Sequence, residues 1–95
     1  MDSSKVIAII RKKKGLSQTD FAKLVGLTQA SLSHIESGKK QPHRSTISKI
    51  CEALGMPETW FDLLTTDPNK LNGIAKERYQ LVGDDIKQLI LDSIQ

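Results

Sequence analysis

The stretch LSQTDFAKLVGLTQASLSHIESG, residues 16–38, contains two short helical patterns separated by a few residues. Each pattern begins with a hydroxyl residue that can cap a helix, Ser17 in the first and Thr28 in the second. Gly26 ends the first pattern, because a turn with positive φ has little steric cost in a residue without a Cβ. Ala22 is small enough for the two helices to cross closely. We therefore expect two packed helices joined by a tight turn.

The rest of the chain also favours short helices. Gly and Pro interrupt it often, and no sustained alternation of apolar and polar residues indicates a strand. A first helix is predicted to be capped by Ser3 or Ser4, a fourth to run from about Ser45, and a fifth to carry Pro57 in its first turn. Three residues of the fifth helix are expected to face the core: Trp60, Phe61 and Leu64.

The C-terminal third is predicted to be a helical extension of the first domain. Residues 65–69 are typical of a turn, which divides the chain into a first domain, 1–66, and an extension, 67–95. Within the extension, the sequence Gly-Asp-Asp at 83–85 is expected to interrupt one helix and cap another. The apolar residues of the extension are surplus to the first domain and are predicted to hold a homodimer together: Leu71, Ile74, Val82, Ile86, Leu89, Ile90 and Ile94. The alternative is that the extension packs on its own domain, where Ile9 lies off the main apolar stripe of the first helix.

Composition excludes several classes of protein. Ninety-five residues suffice for one domain. The single cysteine, Cys51, excludes a disulfide within the chain and is expected to be a small core residue, and His34 and His43 lack the partners of a metal site. No apolar run has the roughly 20 residues of a membrane span, so we expect a cytoplasmic protein without a membrane partner. The sequence contains no pattern typical of a catalytic triad or of a phosphate-binding loop, so we do not expect an enzyme. We also expect neither a metal nor a cofactor.

Charge is distributed unevenly along the chain. Residues 1–50 contain ten Lys or Arg and three Asp or Glu, whereas residues 51–95 contain four and eight. A basic half indicates a polyanionic partner for that half. The run of basic residues at 11–14 is equally consistent with a solvated helix end, where cations favour the negative end of the helix dipole.

The two-helix segment resembles the phage repressor and Cro-like family of transcriptional regulators, also called the XRE family. The resemblance implies an all-α, lambda-repressor-like five-helix DNA-binding domain, followed here by the helical extension. One departure is His43, where relatives often have a Ser cap, which leaves the start of the fourth helix open. The residues that carry the resemblance are Leu16, Ser17, Gln18, Phe21, Ala22, Gly26, Leu27, Thr28, Gln29, Leu32, Ser33, Ile35, Glu36 and Gly38, continued by Pro42, Ile47, Ile50, Leu54, Gly55 and Trp60.

The resemblance also implies roles for individual residues. The helix over residues 29–37 would lie in the major groove of double-stranded DNA, and Arg11 would form a structural ion pair with Glu36. Base contacts are implied for Gln29, Ala30, Ser33 and His34. Phosphate contacts are implied for Ser17, Gln18, Ser37, Lys39, Lys40 and Arg44.

Two functions follow from different observations. The leading one is a sequence-specific DNA-binding regulator, a repressor acting as a homodimer on a palindromic operator. The alternative is a protein-interaction module, such as an antitoxin or an antirepressor-binding protein, which the acidic second half would suit. Steeply salt-dependent DNA binding separates the two, because only the first function releases counterions from DNA.

Overall fold

The computed structural model describes residues 2–94, and within that range it contains six α-helices, one turn of 3₁₀ helix and no strand. The all-α prediction is confirmed. Positions 1 and 95, the outer limits of the two predicted units, lie outside the described residues. The helices are α1 (Ser3–Lys13), α2 (Gln18–Val25), α3 (Gln29–Glu36), α4 (Arg44–Leu54), α5 (Glu58–Thr65) and α6 (Gly73–Asp92), with the 3₁₀ turn at Pro68–Lys70.

Helix α1 begins one residue earlier than a serine cap would allow. The carboxylate of Asp2 accepts a hydrogen bond from the backbone N–H of Lys5 at 2.9 Å and is the N-cap. The prediction of Ser3 or Ser4 as the cap is wrong. Both serines lie inside the helix, and Ser4 is buried. A carboxylate at this position also favours the positive end of the helix dipole.

The predicted starts of α2 and α3 are confirmed. The hydroxyl of Ser17 accepts a hydrogen bond from the backbone N–H of Asp20, and that of Thr28 from the N–H of Ser31, both at 3.1 Å. Gly26 ends α2 with φ of 78°, in the left-handed region that a residue with a Cβ rarely adopts. Local chemistry therefore accounts for both helix boundaries at the turn.

The next two helix starts differ from the prediction by one residue. His43 occupies the N-cap of α4 but its side chain makes no capping hydrogen bond, and the helix begins at Arg44 rather than at Ser45. Pro57 is the N-cap of α5, so it precedes the first turn rather than lying in it.

The core is formed by apolar side chains from all six helices. Phe21 of α2, Leu32 of α3 and Ile50 of α4 are fully buried within it. Cys51 is also buried, as predicted for a small core residue, and burial raises the pKa of its thiol. The buried apolar residues are Val6, Ile7, Ile10, Phe21, Ala22, Val25, Leu32, Ile35, Ile47, Ile50, Cys51, Met56, Phe61, Leu64 and Ile90.

Trp60 is not a core residue, and this prediction is wrong. Its side chain is 38% exposed, whereas Phe61 and Leu64 are buried as expected. Phe61 and Leu64 together set the inward direction of α5, and Trp60 lies at the edge of that stripe. Its indole instead lines a groove between α5 and α6.

Helix α6 is continuous through residues 83–85, so the predicted interruption is also wrong. Gly83 is helical and buried. A Cβ on Gly83 would lie 2.8 Å from Cε1 of Tyr79, which is closer than real contacts allow. The glycine therefore provides space for the Tyr79 ring, one turn earlier on the same face of the helix, rather than ending the helix.

The C-terminal extension packs back on the first domain. Ile90 is 5% exposed and belongs to the core, and Ile94 is partly buried against it. Lys13 and Asp92 form a weak ion pair with 3.8 Å between Nζ and Oδ1. Because Ile90 is buried by its own chain, its assignment to a dimer surface is wrong. Leu71 ends the 3₁₀ turn and precedes α6.

Candidate nucleic-acid interface

The outward face of α3 consists of small or polar side chains and carries no Lys, Arg, Asp or Glu. Leu32 and Ile35 are buried on the opposite side and determine which side of the helix faces the domain. Such a face differs from an ordinary solvated one, which would carry Glu and Lys. The residues predicted to contact bases all lie on it: Gln29, Ala30 and His34 are exposed, and Ser33 is half-buried.

A partly buried ion pair joins α1 to α3. Nε of Arg11 donates to Oε2 of Glu36 at 2.8 Å, and Nη2 donates to Oε1 at 3.0 Å, so the guanidinium binds the carboxylate with two hydrogen bonds. The exposed fractions of the two side chains are 14% and 8%. Nη1 of Arg11 also donates to the carbonyl of Leu16 at 2.8 Å, just before α2. The predicted pair is therefore present, and it fixes three elements relative to one another.

Hydrogen bonds continue from this ion pair to the first residue of α3. Nε2 of Gln18 donates to Oε1 of Glu36 at 3.2 Å, and Nε2 of Gln29 donates to Oε1 of Gln18 at 3.0 Å. The two amides thus bridge the starts of α2 and α3. A side chain held in this way loses less conformational freedom when it binds a ligand.

The residues predicted to contact phosphate surround this face unevenly. Ser17 is exposed at the start of α2, and Gln18 is half-buried beside it. Ser37 is exposed, and its hydroxyl donates to the carbonyl of His34 at 3.1 Å. Lys39 and Lys40 are exposed in the loop after α3. The two lysines place positive charge at the C-terminal end of the face.

Arg44 is held by carboxylates of α5 instead of standing free beside α3. Its guanidinium donates to both carboxylate oxygens of Asp62, at 2.8 and 3.1 Å, and Nε lies 3.2 Å from Oε1 of Glu58. The hydrogen bond with Asp62 raises the pKa of Arg44 and lowers that of Asp62. A phosphate would have to compete with two anions for this residue.

Comparison with known proteins agrees with this geometry. The family model described as helix-turn-helix matches residues 7–61. The chain belongs to the helix-turn-helix family. No solved structure gives a significant match.

Relatives of this helix-turn-helix protein carry names from transcription control. The HTH-type transcriptional regulator YozG of Bacillus subtilis is 32% identical over 75 residues, which cover 78% of this chain and 87% of YozG. The ImmF control region 10 kDa protein of Bacillus phage phi105 is 42% identical over 53 residues, 53% of this chain and 59% of the phage protein. A regulator of Mycobacterium bovis is 32% identical over 65 residues, 66% of this chain. The match spans only 25% of that regulator. Membership of the family supports DNA binding and transcription regulation.

Sequence patterns missed two features of the helix-turn-helix protein. The first is the hydrogen bond that Gln29 donates to Gln18, which depends on how the starts of α2 and α3 meet. The second is the ion pairing of Arg44 with Asp62 and Glu58, which are distant from it in sequence.

Among residues 2–94, no helix has the length and apolarity needed to cross a bilayer.

Proposed function

We propose that this protein is a repressor that binds specific sequences of double-stranded DNA with α3 in the major groove. The observation that carries the proposal is the placement of Gln29. It is exposed at the start of α3, and one of its N–H groups is held by Gln18, which is itself held by Glu36. The ion pair between Arg11 and Glu36 thereby orients the Gln29 side chain at the surface.

The remaining groups of Gln29 match one base. An amide has two N–H donors and one carbonyl acceptor. With one donor on Gln18, the other donor and Oε1 remain for adenine, whose N7 accepts and whose N6 donates in the major groove. Ala30 would contact a thymine methyl, and Ser33 and His34 would contact neighbouring base edges.

Phosphate contacts would come from both ends of this face. Ser17, Gln18 and Ser37 offer polar groups, and Lys39 and Lys40 add charge that binds any DNA sequence. Arg44 joins them only if DNA displaces its carboxylate partners. Repression is proposed because the chain resembles the phage repressor family. A DNA partner supports the proposal that the protein is cytoplasmic.

A single α3 would contact only a few base pairs, so we propose a homodimer. Two copies with recognition helices about 34 Å apart would bind a palindromic operator with far higher affinity. In this proposal residues 67–95 carry the dimer contacts and residues 1–66 the DNA contacts. Leu71, Ile74, Val82, Ile86, Leu89 and Ile94 remain candidates for the dimer surface, without Ile90.

The test is base discrimination by Gln29. An operator is first selected from random duplex DNA, and affinity is then measured by fluorescence anisotropy at fixed salt. Gln29→Ala should weaken operator binding by about 1–3 kcal/mol and leave binding to random DNA nearly unchanged. Gln80→Ala, at an exposed position of α6, is the matched control. It should change neither operator binding nor binding to random DNA.

Two results would overturn the proposal. Equal losses on operator and random DNA would show that Gln29 contacts only the backbone. No selectable operator, together with binding that hardly depends on salt, would favour the protein-interaction module. The exposed apolar groove beside Trp60 is the observation that supports that second function.

A further inference from the structure

Helix α6 has a second apolar face that its own domain leaves uncovered. Gly83 and Ile90 face the domain and are buried, whereas Ile74, Leu81 and Leu89 are 71%, 72% and 73% exposed. Successive residues of a helix are about 100° apart, so the exposed residues fall within an arc of about 100°. We call the part of this face that precedes the last helical turn the outer stripe; its members are Ile74, Arg78, Leu81, Val82, Asp85 and Leu89. Asp92 lies at the same angle in the last turn, where its carboxylate is held by Lys13 and Gln88 of its own chain.

The outer stripe carries one cation and one anion. Arg78 and Asp85 are exposed, and within the described residues neither forms an ion pair on its own chain. They are seven residues apart, about 10.5 Å along the helix axis. A partner helix that covers the stripe must therefore offer an anion opposite Arg78 and a cation opposite Asp85.

A second copy of α6, running antiparallel, satisfies this requirement. We propose that two copies of the chain pair through their outer stripes about a two-fold axis that lies between Leu81 and Val82. In this register Arg78 of each copy faces Asp85 of the other, and Leu81 and Val82 lie beside the axis, each next to its counterpart. A parallel pairing would instead place Arg78 against Arg78 and Asp85 against Asp85, where like charges repel.

The same register reaches the edge of the groove between α5 and α6. Ile74 of one copy lies opposite Leu89 of the other, and Leu89 lines the groove together with Trp60, Leu63 and Ile86. Trp60 and Leu63 are 38% and 37% exposed in the single chain. Ile74 of the second copy thus covers the exposed Leu89 at the edge of the groove. The apolar pair and the charge pairs agree on this one register.

The inference rests on the proposed homodimer and specifies its contacts. Its test is charge reversal, measured by analytical ultracentrifugation of the full chain. Arg78→Asp and Asp85→Arg should each weaken the dimer about tenfold, since the two-fold axis makes each change count twice. The double variant Arg78→Asp with Asp85→Arg should dimerise like the wild type. Asp84→Arg, an exposed neighbour outside the stripe, controls for net charge and should have little effect.

A cross-linking experiment examines the same register independently. Under mild oxidation, Ile74→Cys mixed with Leu89→Cys should yield a disulfide-linked heterodimer, and neither variant alone should cross-link efficiently. Cys51 is buried and does not compete. Efficient linkage of Ile74→Cys to itself would indicate a parallel pairing and overturn the inference.

The outcomes separate this inference from the proposed function. A wild-type dimer that neither reversal weakens, or that Asp84→Arg weakens equally, overturns the pairing and leaves the proposed homodimer standing. A wild-type chain that is still monomeric at about 10⁻⁴ M overturns both the pairing and the homodimer. Its free energy of association would then be weaker than about 5.5 kcal/mol. Base contact by Gln29 is measured separately and survives either result.

Discussion

The corner between α2 and α3 and the corner between α5 and α6 use apolar residues differently. At the first corner the inward residues are buried and the outward face is polar, with an amide and an ion pair joined by hydrogen bonds. At the second corner, Ile90 is buried, yet Trp60, Leu63 and Leu89 remain exposed. One corner is completed by its own chain, and the other leaves apolar surface exposed.

The polarity of each corner indicates the kind of partner that it suits. A polar outward face with positive charge nearby suits a polar, anionic ligand. The exposed apolar residues of the second corner suit another protein surface, since single domains rarely expose large apolar patches. The first corner therefore suits DNA, and the second is the surface that we propose pairs with a second copy of the chain.

The largest effect should come from breaking the ion pair under the first corner. Arg11→Met leaves Glu36 nearly buried without its partner, and we expect the free energy of unfolding to fall by about 3–5 kcal/mol in urea melts. The double variant Arg11→Met with Glu36→Leu should recover part of this loss, because no unpaired charge remains. A single variant as stable as the wild type would show that water satisfies Glu36.

Neighbouring residues of α6 offer a second way to examine the comparison. Ile90→Ala should lower the free energy of unfolding by about 2–4 kcal/mol, because it removes apolar contacts from the core. Leu89→Ala should change it little when measured on the monomer, since Leu89 is exposed there. Equal losses of unfolding free energy at both positions would mean that Leu89 is packed as well as Ile90, so the second corner would leave no apolar surface exposed there.

A smaller effect concerns charge beside the first corner. Replacing Lys39 and Lys40 with Ala should weaken binding to all DNA sequences alike. Each lost phosphate contact should flatten the slope of log affinity against log salt by about one. Lys70 and Lys76, in the C-terminal part, are matched controls whose replacement should leave the slope unchanged. An unaltered slope in the first variant would remove these two lysines from the interface.

The smallest effect is expected at the exposed pair between α4 and α5. The pKa of Asp62 is lowered mainly by its hydrogen bond to Arg44, so the pair stabilises the fold above the ordinary Asp pKa, about 3.9. That contribution is lost as the pH falls through the lower pKa of the folded state. The difference in unfolding free energy between the wild type and Asp62→Asn should therefore be present at neutral pH and vanish in acid. A difference that persists in acid would point to packing rather than charge.

Much of the first corner could be predicted from sequence because its determinants are local. A hydroxyl cap, an αL glycine and an apolar stripe each act within a few residues, and they correctly predicted the caps of α2 and α3 and the outward face of α3. The ion pair between Arg11 and Glu36 could be anticipated only through the family resemblance. The hydrogen bonds of Gln18 required the packed structure, because they depend on how two helix starts meet.

The sequence alone determined an all-α chain, the helix-turn-helix corner and a basic first half, since propensity, capping and charge are properties of neighbouring residues. Tertiary structure decided what happens where distant residues meet. It buried Gly83 within a continuous α6, and it placed Ile90 in the core. It also left Trp60 at a groove and gave Arg44 two carboxylate partners. Burial and pairing of this kind depend on which helix faces come together, and the spacing of residues along a single helix does not contain that information.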